Sequence, residues 1–362
     1  MMLTRSVHPQ TAVTRRVGRL SKKCRRRISR GLAAWRFLKG IVFILCFGCF
    51  AFQSTTFLLD YKKYPTTIKI EFTYPDEFEL PAVTFCNTNE VKRSKFCAEY
   101  PDLCENPKNM TALCAVNPAL CKENPSNLIP KIGFLANDSY MQILDAIPKL
   151  YYNRNVTTEF WEELTWHIRK WRSSIKMKPV FAVSSHTYYP CYTENLLLNS
   201  TEEPKKIHLG SRYKLDNFHH YDLYTDRSER IIFPLKPSFL FSIHSPFVPV
   251  NPASHGNVLQ WGYSYKIYVR MGKVKLESYP YDTDCIDYEK LWREKGKQGP
   301  RSQEMCKELC LYDIFQPYKN MTPEFEMLEY PLELCFGRGC QTSPEDREIL
   351  ERCRRDCKAN CR

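Results

Sequence analysis

Apolar residues recur along this chain with several distinct periods, and each period predicts a different element. From Ile41 to Leu59 nineteen residues carry no charge, and the only polar side chains, Gln53, Ser54, Thr55 and Thr56, cluster towards one end. At 1.5 Å per residue such a helix covers about 28 Å, close to the hydrocarbon thickness of a bilayer. Between Thr67 and Tyr74 the period drops to two: Ile68, Ile70, Phe72 and Tyr74 alternate with Thr67, Lys69, Glu71 and Thr73, which predicts a half-buried strand. A short segment, Leu80-Pro81-Ala82-Val83-Thr84-Phe85-Cys86-Asn87, closes that unit. Residues 128 to 175 read as helical. Phe160, Trp161, Leu164, Ile168 and Trp171 recur at nearly 3.6 spacing with Glu162, Glu163, Arg169 and Arg172 between them, the pattern of a docked surface helix.

From Pro179 to Glu277 the pattern is again that of strands with Pro-rich connections. The clearest has Tyr263, Tyr265, Ile267, Val269 and Met271 on one face and Ser264, Lys266, Tyr268 and Arg270 on the other, ending at Gly272. Near the end, Ser343-Pro344-Glu345-Asp346 places a capping Ser before Pro at the first helical position and acids in the first turn, so a helix is predicted from there to about Asn360.

Charge orients these elements. Residues 1 to 40 hold twelve Lys or Arg and no Asp or Glu, so of the 53 basic and 40 acidic residues almost the whole net charge of +13 precedes the apolar run. Basic flanks stay cytoplasmic, which predicts a cytoplasmic tail over 1–40, a membrane helix over 41–59 and an extracellular region over 60–362. Trp35 suits an interfacial anchor. A nucleic-acid arm is disfavoured by the adjacent apolar run, and a cleaved signal peptide by the long basic lead and the lack of a small-x-small site.

Three of the seventeen cysteines, Cys24, Cys46 and Cys49, lie in the tail or the apolar run, leaving an even fourteen beyond Asp60. That density suits an oxidising compartment. Five sequons agree, at Asn109, Asn137, Asn155, Asn199 and Asn320. Cys97, Cys104, Cys114 and Cys121 match no metal-ligand spacing and are read as local disulfides. On the predicted last helix Cys353, Cys357 and Cys361 fall at i, i+4 and i+8, and Cys306 and Cys310 at i and i+4 on another helical segment. Two antiparallel helices would pair Cys310 with Cys353 and Cys306 with Cys357, leaving Cys285 for Cys361 and Cys335 for Cys340.

The segment Pro81-Ala82-Val83-Thr84-Phe85-Cys86-Asn87 directly after a first membrane span resembles the post-membrane motif of the epithelial sodium channel, degenerin and acid-sensing channel family. Cys191-Tyr192-Thr193, Ile243-His244-Ser245-Pro246 and Tyr279-Pro280-Tyr281-Asp282-Thr283-Asp284-Cys285 resemble three further landmarks of that family, in the right order over about three hundred residues. The resemblance implies an α+β membrane protein: an N-terminal transmembrane helix, then a disulfide-rich extracellular domain whose central β-sheet, the palm and β-ball, carries peripheral finger, knuckle and thumb helices. It implies a pairing of Cys86 with Cys191, and a subunit of a homo- or heterotrimeric, amiloride-sensitive, ligand- or stimulus-gated channel that passes sodium ions across the plasma membrane amid membrane lipid.

The chain also departs from the family pattern. Where the family carries a gating His-Gly pair in the tail, this sequence has Val17-Gly18, so only Gly18 is present. A C-x6-C pair expected before Cys191 is replaced by a stretch with Ser184 and Ser185. The family's last palm strands, second membrane helix and small-x-small filter would lie beyond Arg362, so the chain reads as a fragment with no pore filter, expected to give no amiloride-blockable current alone. The next most apolar window, Ile231 to Val250, holds Lys236, His244 and four prolines and is no membrane span. The other open reading is a non-conducting single-span membrane glycoprotein that binds or modulates channel subunits. No catalytic, phosphate-binding or dinucleotide motif is present, so the expectation is no enzyme, no cofactor, no metal and no nucleic-acid partner. Asp216, Asn217, His219, His220 and Asp222 form the closest polar cluster and are read as a solvated loop.

Overall fold

The computed structural model describes residues 11–73, 76–116, 118–121, 128–131, 140–151, 158–171, 177–183, 188–208, 219–231, 238–277, 279–315, 325–329 and 344–361. Helix α1, Thr11–Lys62, runs without a break through the basic stretch and the apolar run. Its Gly31–Lys62 portion is long and apolar enough to cross a membrane, and none of its most apolar stretch is buried. The expected boundary between tail and span is thus a change of composition within one helix. Trp35 is exposed with the Lys39 ammonium 5.3 Å from its ring centre.

The chain divides into two compact units. One comprises Met1–Lys69 with Tyr279–Asp282, and the other Ile70–Ser278 with Thr283–Arg362. In the second unit the strands and helices that matter below are β1 (Ala82–Asn87), α2 (Tyr140–Lys149), α3 (Thr158–Leu164), β2 (His167–Trp171), β3 (Lys178–Val183), β4 (Tyr188–Glu194), β5 (His220–Tyr224), β6 (Ser238–His244), α4 (Pro252–His255), β7 (Asn257–Gln260), α5 (Tyr288–Glu294), α6 (Gln303–Phe315), β8 (Met327–Leu328) and α7 (Pro344–Asp356). Six strands form one antiparallel sheet in the order β7-β6-β1-β4-β3-β8, with β1 at its centre.

Strand alternation sorts this sheet into two faces. Val83, Phe85, Phe181, Val183, Tyr188, Tyr192, Phe239 and Phe241 enter the main core with Ile143, Ile147 and Tyr151 and with Trp161 and Trp166. Ala82, Cys86, Val180, Ala182, Cys191 and Met327 form a second, smaller cluster. Trp161 stands edge-on to Phe181 at 4.7 Å between ring centres, and Trp166 to Tyr192 at 4.9 Å, geometry that adds to area burial in aromatic cores.

Several sequence expectations are corrected here. The single helical region over 128–175 is instead α2, α3 and then strand β2. Trp161 is fully buried, and Ile168 and Trp171 lie on β2, which pairs with β5. The run Thr165-Trp166-His167-Ile168 is β-branched and aromatic, so cross-strand pairing overrides the helical spacing. His220 and Asp222 belong to β5 and not to a solvated loop; alternation turns Tyr221 and Leu223 inward between them. The two clearest alternating segments, 67–73 and 263–271, form no strand. Neither joins a ladder among the described residues, and Ile68 is 93% and Phe72 91% exposed. Alternation marks a residue run able to pair, whereas a strand also needs a neighbouring edge. Helix α7 ends at Asp356, short of Asn360. Cys361 is therefore off the helix, held by a backbone bridge in which Cys361 N donates to Ile286 O at 3.0 Å and Ile286 N to Ala359 O at 2.8 Å.

Candidate functional site

The post-membrane segment is the central strand of the sheet. Ala82, Thr84, Phe85, Cys86 and Asn87 are buried, while Pro81 and Val83 are partly so. β1 meets β6 on one side and β4 on the other, with Cys86 opposite both Leu240 and Cys191. That register brings the Cα atoms of Cys86 and Cys191 to 4.0 Å, and the two are disulfide-bonded across 105 residues. On the opposite face Phe85 lies 4.9 Å from Tyr221 and 5.8 Å from Phe241. Asn87 fixes the strand's exit: its Nδ2 donates to Thr225 Oγ1 at 3.1 Å and its Oδ1 accepts from Asn89 N at 2.9 Å.

Polar groups are set into this apolar frame. Tyr221 donates to the buried Glu194 carboxylate at 2.5 Å, and burial, that bond and the Glu194 charge all push the phenol far above its usual range. His219 stacks on Tyr221 with its Nδ1 3.9 Å from Glu194, and His220 Nε2 lies 3.3 Å from Asp222. Asp216 and Asn217 lie outside the described residues. On the disulfide face Thr84 Oγ1 is 2.9 Å from both Thr193 Oγ1 and His244 Nε2. Burial lowers the His244 pKa, opposed by the carbonyls of Ser245 and Val248.

The second landmark is a helical pair. α6 and α7 are joined by Cys306–Cys357 and Cys310–Cys353, with Cα separations of 5.7 and 5.9 Å, and Cys285–Cys361 closes their base. These are the pairings that antiparallel i, i+4 spacing gives. Cys97–Cys104 and Cys114–Cys121 are local, each across seven residues, and Cys335 and Cys340 lie outside the described residues. Glu308 on α6 accepts from Glu326 N at 2.8 Å. Burial, with the Glu326 charge, raises its carboxyl to about 8.

Between sheet and helices sits a residue that sequence reasoning missed. Arg301 has a side chain only 2% exposed, its guanidinium 3.9 Å from the ring centres of both Phe247 and Trp292. It donates to both carboxylate oxygens of Glu289 at 3.0 and 3.1 Å, to Glu203 Oε2 at 3.1 Å and to Glu202 O at 2.9 Å. Arg301 thereby fastens α5 to the loop after β4 and to the turn after β6. Beside it Ser302 Oγ donates to Phe247 O at 2.6 Å. Planar stacking on two rings with a bidentate carboxylate suits arginine and not lysine.

In the other unit, Tyr64, just past the end of α1, meets Tyr281 edge-on at 5.6 Å. Tyr281 belongs to the Tyr279–Cys285 stretch singled out in the sequence. Of the sequons, Asn109 and Asn199 are exposed, while Asn137, Asn155 and Asn320 lie outside the described residues. Gly18 is on α1. No group of three or more metal-ligating side chains occurs among the described residues.

The chain thus combines an apolar helix of membrane length with a disulfide-locked sheet, to which Arg301, its carboxylate partners and its two rings fasten a cysteine-riveted helix pair. The pattern of the amiloride-sensitive sodium channel family matches residues 18–362, and the chain belongs to that family. Comparison with curated proteins returns no match. The family is one of plasma-membrane sodium channels that form oligomers.

Proposed function

We propose that this chain is one subunit of a trimeric, amiloride-sensitive, stimulus-gated sodium channel, with residues 1–40 cytoplasmic, α1 crossing the plasma membrane once and residues 60–362 extracellular. The family match over 18–362 carries the reading. The twelve-to-zero basic bias before the apolar run supports its orientation, and six disulfides among the described residues support an oxidising exterior.

Two measurements test it. Endoglycosidase should shift the mobility of the mature chain, with Asn109→Gln and Asn199→Gln each removing part of the shift, while protease added to intact cells spares the tail. Crosslinking in membranes should give a species of three subunits, and co-expression with conducting family subunits should change their amiloride-blocked sodium current in voltage clamp. No glycan shift refutes the orientation; no trimer and no effect on current refute the channel-subunit role.

A further inference from the structure

One polar row crosses the disulfide face of the sheet. Thr84 on β1 is the register partner of Thr193 on β4 and of Ser242 on β6, and all three are buried. His244 follows two residues after Ser242 and so lies on the same face. Its Nδ1 is 3.1 Å from the carbonyl oxygen of Ser245. A carbonyl can only accept, so Nδ1 carries the hydrogen and Nε2 of the neutral ring is an acceptor. Thr84 must then donate to Nε2, and, its hydrogen committed, accept from Thr193. One backbone carbonyl therefore fixes the direction of every hydrogen in the row.

A proton on Nε2 reverses this order. The ring becomes a donor to Thr84, whose own hydrogen must turn towards Thr193, and Thr193 must find another acceptor. The Val83 carbonyl is in reach only at 3.4 Å. Ser242 Oγ, already buried with no hydrogen-bond partner among the described residues, gives no charge compensation. The titratable groups on the surrounding elements are engaged elsewhere. Glu194 points to the other face and accepts from Tyr221; Lys178, the register partner of Thr193 on β3, acts on Glu329; His255 on α4 faces Glu326. Among the described residues the imidazolium would have no counter-charge in a mostly buried site.

We propose that His244, Thr84 and Thr193 form a one-way hydrogen-bond row that fastens the end of β6 to β1 and β4, and that uptake of a proton by His244 releases it. The residues immediately after His244 lead to Phe247, on which Arg301 stacks, so acid loosens the sheet where it meets the helix pair. The sign follows from linkage. The folded-state pKa is depressed below the unfolded value of about 6.5, so the unfolded chain binds more protons between the two values. The contribution is complete above about pH 6.5 and is lost as pH falls through the lower folded value.

The test uses the full chain in detergent micelles with histidine ring nitrogens labelled with ¹⁵N, assigned by the resonance lost in His244→Gln. At about pH 7.5 the ring should show the Nδ1–H tautomer, and its protonation midpoint should lie below that of an unperturbed histidine. Wild type should lose several degrees more of melting temperature than His244→Gln on going to about pH 5. If His244→Gln does not fold, Thr84→Val supplies the assignment, since it perturbs the one ring whose Nε2 loses its donor. An Nε2–H tautomer, a ring already protonated near neutral pH, or parallel melting curves for wild type and His244→Gln would each overturn the proposal.

Discussion

Replacing Arg301 by alanine should cost more than any other single change at the junction of sheet and helices. The substitution removes two cation–π stacks and four hydrogen bonds, three of them to carboxylates. Breaking a buried ion pair by deleting one partner costs about 3–5 kcal/mol, because the other charge is stranded. Here the stranded groups are not deeply buried. Glu289 is 21% and Glu203 49% exposed, so both carboxylates can rehydrate, and the lower end of the range, about 3 kcal/mol, is the better figure. Burial alone would raise the Glu203 carboxyl, but the Arg301 bond and the Arg301 and Lys297 charges outweigh it and hold it below the usual range. That contribution is present above the unfolded carboxylate value and fades as pH falls through the lower folded one. For a domain of this size about 3 kcal/mol lowers the melting temperature by roughly 6–12 °C. The assay is thermal or urea unfolding of the non-reduced chain followed by tryptophan fluorescence, since Trp292 lies against the guanidinium. Arg301→Lys should recover only part of the loss. The reasoning fails if Arg301→Ala stays within about 0.5 kcal/mol of wild type, the level of an ordinary surface change.

Glu308→Gln should stabilise the chain at pH 8 by a few kcal/mol and change little at pH 4, because a carboxyl raised from 4.5 to about 8 favours the fold below the unfolded value and loses that contribution as pH rises to 8; pH-dependent melting of the pair checks this. Cys310→Ser should leave Cys353 reactive to a thiol label under non-reducing conditions and cost about 2–5 kcal/mol; peptide mapping that finds another cysteine on Cys353 contradicts it. Gly256→Ala should destabilise by about 1–3 kcal/mol, as its Cβ would meet Pro252 O at 2.4 Å and Phe241 O at 2.7 Å, both backbone atoms that move only with β6 and α4; an unchanged denaturation midpoint would show that they yield freely.

What sequence revealed and concealed divides along physical lines. The apolar run to Leu59, the Leu80–Asn87 segment and the i, i+4 cysteines are local patterns whose partners are implied by chemistry, bilayer or sulfur. Ile68 and Phe72, or Tyr263 and Ile267, carry equally clear alternation, yet which edge they meet is not written nearby. Thr84 and His244 occupy polar positions that alternation assigns to solvent; only the three-strand register brings them into one hydrogen-bonded row. Arg301 follows Gly-Pro with no periodic neighbour, and its partners at Glu203, Phe247 and Glu289 come from three separate stretches. Burial of a charge is decided by such convergence, and no local window contains it.

The Cys86–Cys191 bond makes the chain between them a closed ring of covalent bonds rather than a branch. A protease that cuts once within that ring opens it but detaches nothing: the half bearing α1 and the half bearing the helix pair remain one molecule. Such a nick appears as two bands only after reduction. A single cut between Lys62 and Cys86, by contrast, severs every covalent tie to α1 among the described disulfides, so the short stretch before β1 is where the whole disulfide-bonded domain can be parted from α1 in one step.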